Sequence, residues 1–540
     1  MRRCDRPLDS GLTAFRGTAT IDSGGTELLT CLARAISTRA DGSLAFLVTI
    51  GVAALYLGID VGTSSVKALL LDDRGTIASQ ATEALEVSRP APGFSEQDPE
   101  AWWQATLKAV RSLPSAERAR VRGIGLSGQM HGATLLDAQD RPLRPAILWN
   151  DGRSAAECVE LERREPASRL ITGNIIMPGF TAPKLLWVAR HEPEIFRRVA
   201  CVLLPKDYVR LKLTGEKVSD MSDAAGTAWL DVAKRDWSEA MLSATDLTRA
   251  QMPRLVEGSS PSGTLTAAAA EQLQLPRVVV AGGGGDNAAS AVGLGVIQAG
   301  QAFLSLGTSG VLFVVTDRFR PNPDRAAHAF CHCLPNLWHQ MSVMLSAASA
   351  LDWVARVTGE TNLPRLVDAA QATGLRRYAP FFLPYLSGER TPHNDPNSRG
   401  VFFGITPDTS ASDLTGAVLE GVAHAFADGL QVVLEKGGSI GDITVTGGGA
   451  RLPYWGKLLA AALDRPLTYR VGSEVGAALG AARLGRIAAT GERPEEVCTS
   501  PPVQAVVQPD AALVRLFAQR RPMFSRLYRD LKDAFAEYSK

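Results

Sequence analysis

An apolar strand, a Gly-Thr-Ser turn and a second apolar strand occur twice in this chain. The first copy reads "LYLGIDVGTSSVKALLLDD" from Leu55 and the second "AFLSLGTSGVLFVVTD" from Ala302. Thr63 and Thr308 lie 245 residues apart. A whole strand–turn–strand unit returning after one domain length points to a duplicated α/β unit, and so to a fold of two related halves. The 540 residues support this, because one core does not organise a chain of that size and two domains of roughly 200–250 residues each would. The boundary is expected near 295–300, giving halves at 55–297 and 298–540.

Each half extends the unit with further elements. "TIASQATEAL" reads as a third strand of an opening meander, and "VRGIGLSG" as another strand. "DPEAWWQATLKAVRSL" reads as a helix with Asp98 as N-cap and Pro99 at its first position. Two further strand–glycine-loop–helix units follow, "VVVAGGGGDNAASAVGLGV" at 278–296 and "DITVTGGGARLPYWGKLLAAAL" at 442–463. "SASDLTGAVLEGVAHAFADGLQVVLEKGG" carries apolar residues at Leu414, Val418, Leu419, Val422, Phe426 and Leu430, a core-facing helical stripe with a glycine stop.

The loops carry the chemistry. Backbone N–H groups of a tight Gly/Ser/Thr turn converge on one point and bind phosphate oxygens, with hydroxyls as extra donors. Gly62, Thr63 and Ser64 form one such turn, and Gly307, Thr308 and Ser309 the other. Halves facing across a cleft would let both grip one polyphosphate. Asp60 ends the first strand just before its turn, where a carboxylate suits the shell of a phosphate-bound Mg²⁺. Gly448, Gly449 and Ala450 would let an adenosine ring lie against bare backbone. Neither a Walker-type Gly-Lys-Thr/Ser nor a G-x-G-x-x-G pattern occupies these strand ends, which argues against P-loop and dinucleotide folds.

Composition closes off other classes. A net charge of +1 gives no reason to expect a nucleic-acid or acidic-membrane partner. Seven scattered cysteines suit reduced thiols and a cytoplasmic location. Residues 1–54 lack a sustained period and are expected to be a poorly ordered, dispensable extension. The apolar run ending at Asp60 is too short for a membrane span and too late for a signal peptide. In "HAFCHC", His328, Cys331, His332 and Cys333 crowd too closely for a zinc site and read better as a packed strand.

Longer blocks resemble the carbohydrate-kinase family that shares its ATPase core with actin and hexokinase. "GFTAPKLLWVARHE", with Lys184 and Trp187, resembles its first signature, and "GVFFGITPDTSASDLTGAVLE", ending on Glu420, its second. "SGQMHGATLLD", "PAILWNDGR", "LLPKDYVRLKLTGE" and "FLPYLSGERTPHN" are typical of the xylulokinase branch. The departures are the front extension and an extra glycine before Asp286. The resemblance implies two RNase-H-like domains around a catalytic cleft, with sugar held mainly by the first and ATP by the second. It implies ATP- and Mg²⁺-dependent phosphorylation of D-xylulose, with Asp286 as catalytic base and Asp60 as a second essential acid. By matched position Met130 and His131 line the sugar site. Asn287 and Trp149 are expected to add a hydroxyl contact and an indole face.

Asp286 begins a helix, whose N-terminus favours the ionised carboxylate and is expected to keep its pKa low. The expected partners are a small sugar and ATP, with a homodimer as the candidate assembly. The rival readings are a kinase for another keto-sugar or polyol such as ribulose, and, remotely, a non-catalytic actin-like nucleotide-binding protein.

Overall fold

The computed structural model describes residues 53–472 and 476–539, so the extension expected at 1–54 lies almost wholly outside the described residues. Residues 53–540 form one compact unit. It is built on two seven-stranded sheets, and six strands of one repeat six of the other in the same order.

In the first sheet, Leu55–Val61 and Ser65–Asp72 form an antiparallel hairpin, and Ile77–Ala84 adds antiparallel beyond it. On the hairpin's other side Val121–Gly128 and then Val279–Ala281 pair in parallel, and Pro261–Thr264 closes the edge antiparallel. The second sheet has the same sequence of pairings. Ala302–Leu306 and Gly310–Thr316 make the hairpin, and Trp338–Met344 extends it. Ile443–Thr446 and Leu467–Arg470 add in parallel, and Val503–Val507 closes the edge antiparallel. The duplication read from the two Gly-Thr-Ser triplets therefore extends over six strands of each sheet; Gly284–Gly285 in the first and His328–Cys331 in the second have no counterpart.

Side-chain pattern follows sheet position. Leu55–Val61 is buried on both faces, as its unbroken apolar run requires. Ile77–Ala84 alternates half-buried and exposed residues, as an edge strand should. Pro99–Arg111 starts where Asp98 accepts from the Glu100 N–H and buries Trp102 and Trp103 on the first sheet. In the second half, Ala411–Leu434 opens with a Ser410–Asp413 capping box. It is long and apolar enough to cross a membrane by length and composition, but 83% of its apolar window is buried inside the protein. It is the central core helix of that half, and Trp455 donates from the facing helix to its Leu419 carbonyl at 3.1 Å.

One element crosses between the halves. The helix Gly476–Thr490 belongs by chain order to the second half, yet it lies on the first sheet, against Gly58, Gly123 and Gly125. A Cβ at Gly125 would stand 1.8 Å from the Ala481 carbonyl oxygen, so only glycine lets the helix approach so closely. Its other face packs on the helix Asp286–Leu294, again backbone to backbone at Gly293 and Gly480. The strand His328–Cys331, as expected, is a buried strand paired with Trp338–Met344.

Candidate active site

A cleft of about 960 Å³ opens between the halves. The first half lines it with Asp60, Lys67, Asn287 and Ser290, and the second with Ser305 and the Gly447–Arg451 turn. Of the expected nucleotide residues, Gly448 and Ala450 line this cavity. Gly62–Ser64, Gly307–Ser309 and Gly449 are not among its lining residues. The Gly307 and Thr308 carbonyls are held by Ala348 N–H at 2.8 Å and Ala347 N–H at 3.0 Å, which ties the second turn to the start of the next helix.

Asp286 is the first residue of the helix Asp286–Leu294, and the turn before it is shaped by close approach. Gly283 sits at φ +79°, and a Cβ at Gly285 would be 2.8 Å from Met130 Cγ. Met130, buried, is thereby pressed against the turn that carries the acid. Asn287 holds Asp286 Oδ1 twice, by its backbone N–H at 2.7 Å and its side-chain Nδ2 at 3.0 Å. The expected Asn287 contact to a sugar hydroxyl thus competes with a bond that orients the acid, while Asp286 Oδ2 has no hydrogen-bond partner among the described residues.

The pKa expectation for Asp286 is reversed. Burial, and then the charge of Asp60, raise it from its ordinary value to about 6, and the two Asn287 bonds only partly oppose this. Desolvation outweighs the helix terminus because the carboxyl is buried and feels a second acid, Asp60; it is not among the residues that line the cavity, although its neighbour Asn287 is. Asp60 is itself raised by burial, which the nearby Ser127 hydroxyl and Lys67 ammonium oppose. Its buried Oδ1 has no hydrogen-bond partner. An acid oxygen with nothing to satisfy it fits a divalent cation.

His131 follows Met130 in a left-handed conformation, φ 71°. Its Nδ1–H donates to the Gly226 carbonyl at 2.6 Å, which leaves Nε2 as the acceptor of a neutral ring. Burial, then the Lys184 charge, lower its pKa to about 3, so the ring stays neutral. Lys184, from the first signature, donates to the His131 carbonyl at 2.9 Å and the Gly179 carbonyl at 2.7 Å. It fixes the strained turn from behind. Trp149 is 42% exposed, and its Nε1–H donates to Thr63 Oγ1 at 3.0 Å, so it bears on the first Gly-Thr-Ser turn. Thr63 donates in turn to Gln129 Oε1 at 3.0 Å. The neighbouring Asp151 and Arg153 are buried and paired at 2.7 Å, and Arg153 also pairs with Glu96, so these two lock the loop rather than face a ligand.

The sequence reading passed over Lys67. It stands opposite Asp60 in the hairpin register, lines the cleft and makes no ion pair among the described residues. Its signal was available: the only cation in a strand whose neighbours are all apolar.

Two sheet-built halves, each opening with a Gly-Thr-Ser hairpin, with Asp60 lining the cleft between them and Asp286 beside it, define a phosphotransferase of the actin-like sugar-kinase fold. Residues 55–293 match the N-terminal domain of the FGGY family of carbohydrate kinases and residues 302–489 its C-terminal domain, so the chain belongs to that family. The chain is 56% identical to "Xylulose kinase" of Escherichia coli K12 over 479 residues, 88% of this chain and 99% of that protein. Among solved structures it is similar to a "xyloylose kinase from Brucella ovis", with 52% identity, TM-score 0.86, and 89% of this chain and 100% of that one covered. It is similar also to a xylulose kinase from Rhodospirillum rubrum, with 28% identity, TM-score 0.84 and the same coverage.

Proposed function

We propose that the protein transfers the γ-phosphoryl group of ATP to the terminal hydroxyl of D-xylulose, giving D-xylulose 5-phosphate and ADP. The observation that carries this reading is Asp286: a buried carboxyl with a pKa of about 6, one oxygen tethered by Asn287 and the other free, beside a cleft able to hold a nucleotide. The sugar is that of the xylulose kinases the chain resembles.

The chemistry follows from these groups. The sugar oxygen–phosphorus bond forms, the bond from Pγ to the β,γ-bridging oxygen breaks, and the hydroxyl proton passes to Asp286 Oδ2. A base must lie within about 3 Å of the oxygen it deprotonates. A pKa near 6 leaves Asp286 mostly ionised at pH 7 and more basic than an ordinary carboxylate. In a loose transition state most proton transfer comes late, so orientation by the fixed turn matters first. Met130 and the neutral His131 shape the sugar side, with His131 Nε2 accepting from a hydroxyl. Lys67 meets the phosphates from the first half, with the Gly447–Arg451 turn on the nucleotide side. Asp60 would hold a Mg²⁺ ion, which when bound offsets phosphate charge. The division of labour follows the halves 55–297 and 298–540. The five described cysteines, all free and buried, fit a reducing cytoplasm.

A coupled ADP-release assay over D-xylulose, other pentuloses and polyols tests the reading. The highest kcat/KM is expected on D-xylulose, and the acid limb of its pH profile near 6, because activity is lost as Asp286 protonates. Best turnover on ribulose or glycerol would replace the substrate; no turnover on any of them would remove the function.

A further inference from the structure

Behind the glycine turn that carries Asp286 lies a group of charges that the reaction itself does not use. The Lys206 ammonium, fully buried, sits among three carboxylates: Asp207 at 2.6 Å, Asp220 at 2.8 Å and Asp223 at 3.1 Å. All four side chains are inaccessible to solvent, as is Arg210, 3.3 Å from Asp207. Burying so much charge is costly, and a well-packed apolar replacement is often as stable or more so. The arrangement therefore calls for a reason other than stability.

Its outward bonds supply one. Arg210 donates from Nη1 to the Ala281 carbonyl at 2.6 Å and from Nη2 to the Gly282 carbonyl. Asp220 Oδ2 accepts from Ser222 Oγ at 2.5 Å, and Ser222 Oγ accepts from the Gly285 N–H at 3.1 Å. The charges thus hold both ends of the stretch Ala281–Gly285, and the last of these bonds is one residue before Asp286. Burial, helped by the Asp207 and Asp220 charges and opposed by Lys206, pushes the Asp223 carboxyl well up.

We propose that Lys206, Arg210, Asp220 and Ser222 are positioning residues that set where the Asp286 carboxylate meets the sugar hydroxyl. This rests on the function proposed above. Lys206 fixes Asp220, Asp220 orients the Ser222 hydroxyl, and Ser222 anchors the backbone from which the acid projects. Arg210 secures the entry to the same turn.

The test uses full-length Ser222→Ala and Ser222→Cys. Cysteine keeps the shape and weakens the hydrogen bond, so it separates anchoring from packing. In both variants kcat on D-xylulose should fall, in Ser222→Ala by roughly 10–100-fold, the cost of a misplacement of about 1 Å. The sugar KM and the ATP Kd should stay close to wild type. The acid limb should move to lower pH, because a loosened carboxylate gains water. A residue that only packs would lower Tm while leaving kcat per folded enzyme and the acid limb unchanged, and that result overturns the proposal. If Ser222→Ala does not fold, Ser222→Cys decides alone. Wild-type enzyme silent on every ketose in the same assay brings down the proposed function itself, whereas an active wild type with unaltered variants brings down only this role.

Discussion

Replacing Asp286 with asparagine should make the protein inactive and more stable at once. The acid has a pKa of about 6 in the folded chain, against about 3.9 when unfolded. Above pH 6 both states are ionised, and the folded state carries a penalty of about 2 pKa units, or about 3 kcal/mol. Below pH 4 both states are protonated and the penalty is gone. The sign is thus fixed: the group costs stability as pH rises from 4 to 6. Asparagine keeps the shape and can still accept from Asn287, but it carries no charge toward Asp60. At pH 8 the variant should gain up to about 3 kcal/mol, which over a unit of roughly 490 residues is a rise of about 3 °C in Tm. Differential scanning calorimetry at pH 8 and pH 4.5 measures it. The gain should shrink toward zero at the lower pH. Equal shifts at both values, or a lower Tm at pH 8, would refute the desolvated, Asp60-facing carboxyl.

Other outcomes follow from neighbouring features. Lys67→Met should raise the ATP Kd about tenfold or more in calorimetric titration while sugar binding is unchanged, since the ammonium lines the cleft proposed for the nucleotide and makes no ion pair among the described residues. Arg520→Ala should destabilise the protein by about 3–5 kcal/mol, read as a loss of Tm, because it strands Glu420, which Arg520 meets at 2.5 Å with both side chains buried. Removing residues 1–52 should leave kcat and KM unchanged in the ADP-release assay, because the family match begins at residue 55.

Elements with a period and a cap were open to sequence reading. The two hairpins, the Asp98-capped helix and the Ser410-capped core helix stand where their patterns place them. The helix Gly476–Thr490 was not, because a run of glycine and alanine does not say which sheet it will cover. The buried charge group was not legible either, because Lys206, Asp207 and Arg210 become a group only when the fold brings Asp220 and Asp223 against them. The Asp286 pKa was misjudged for the same reason. Sequence shows the helix start beside it but not Asp60, which arrives from the opening hairpin. Glu420, which ends the second signature, instead anchors the C-terminal helix through Arg520, and His393 stacks on Tyr528 of the same helix at 3.5 Å.

The central claim is that the Asp286 carboxylate takes the sugar proton while the nucleotide is held elsewhere in the cleft. Rapid-quench single turnovers of Asp286→Ala with D-xylulose, alongside calorimetric ATP titration, test it most directly. Phosphoryl transfer should fall by roughly 10²–10⁴-fold with ATP affinity preserved. Transfer at the wild-type rate would contradict the account.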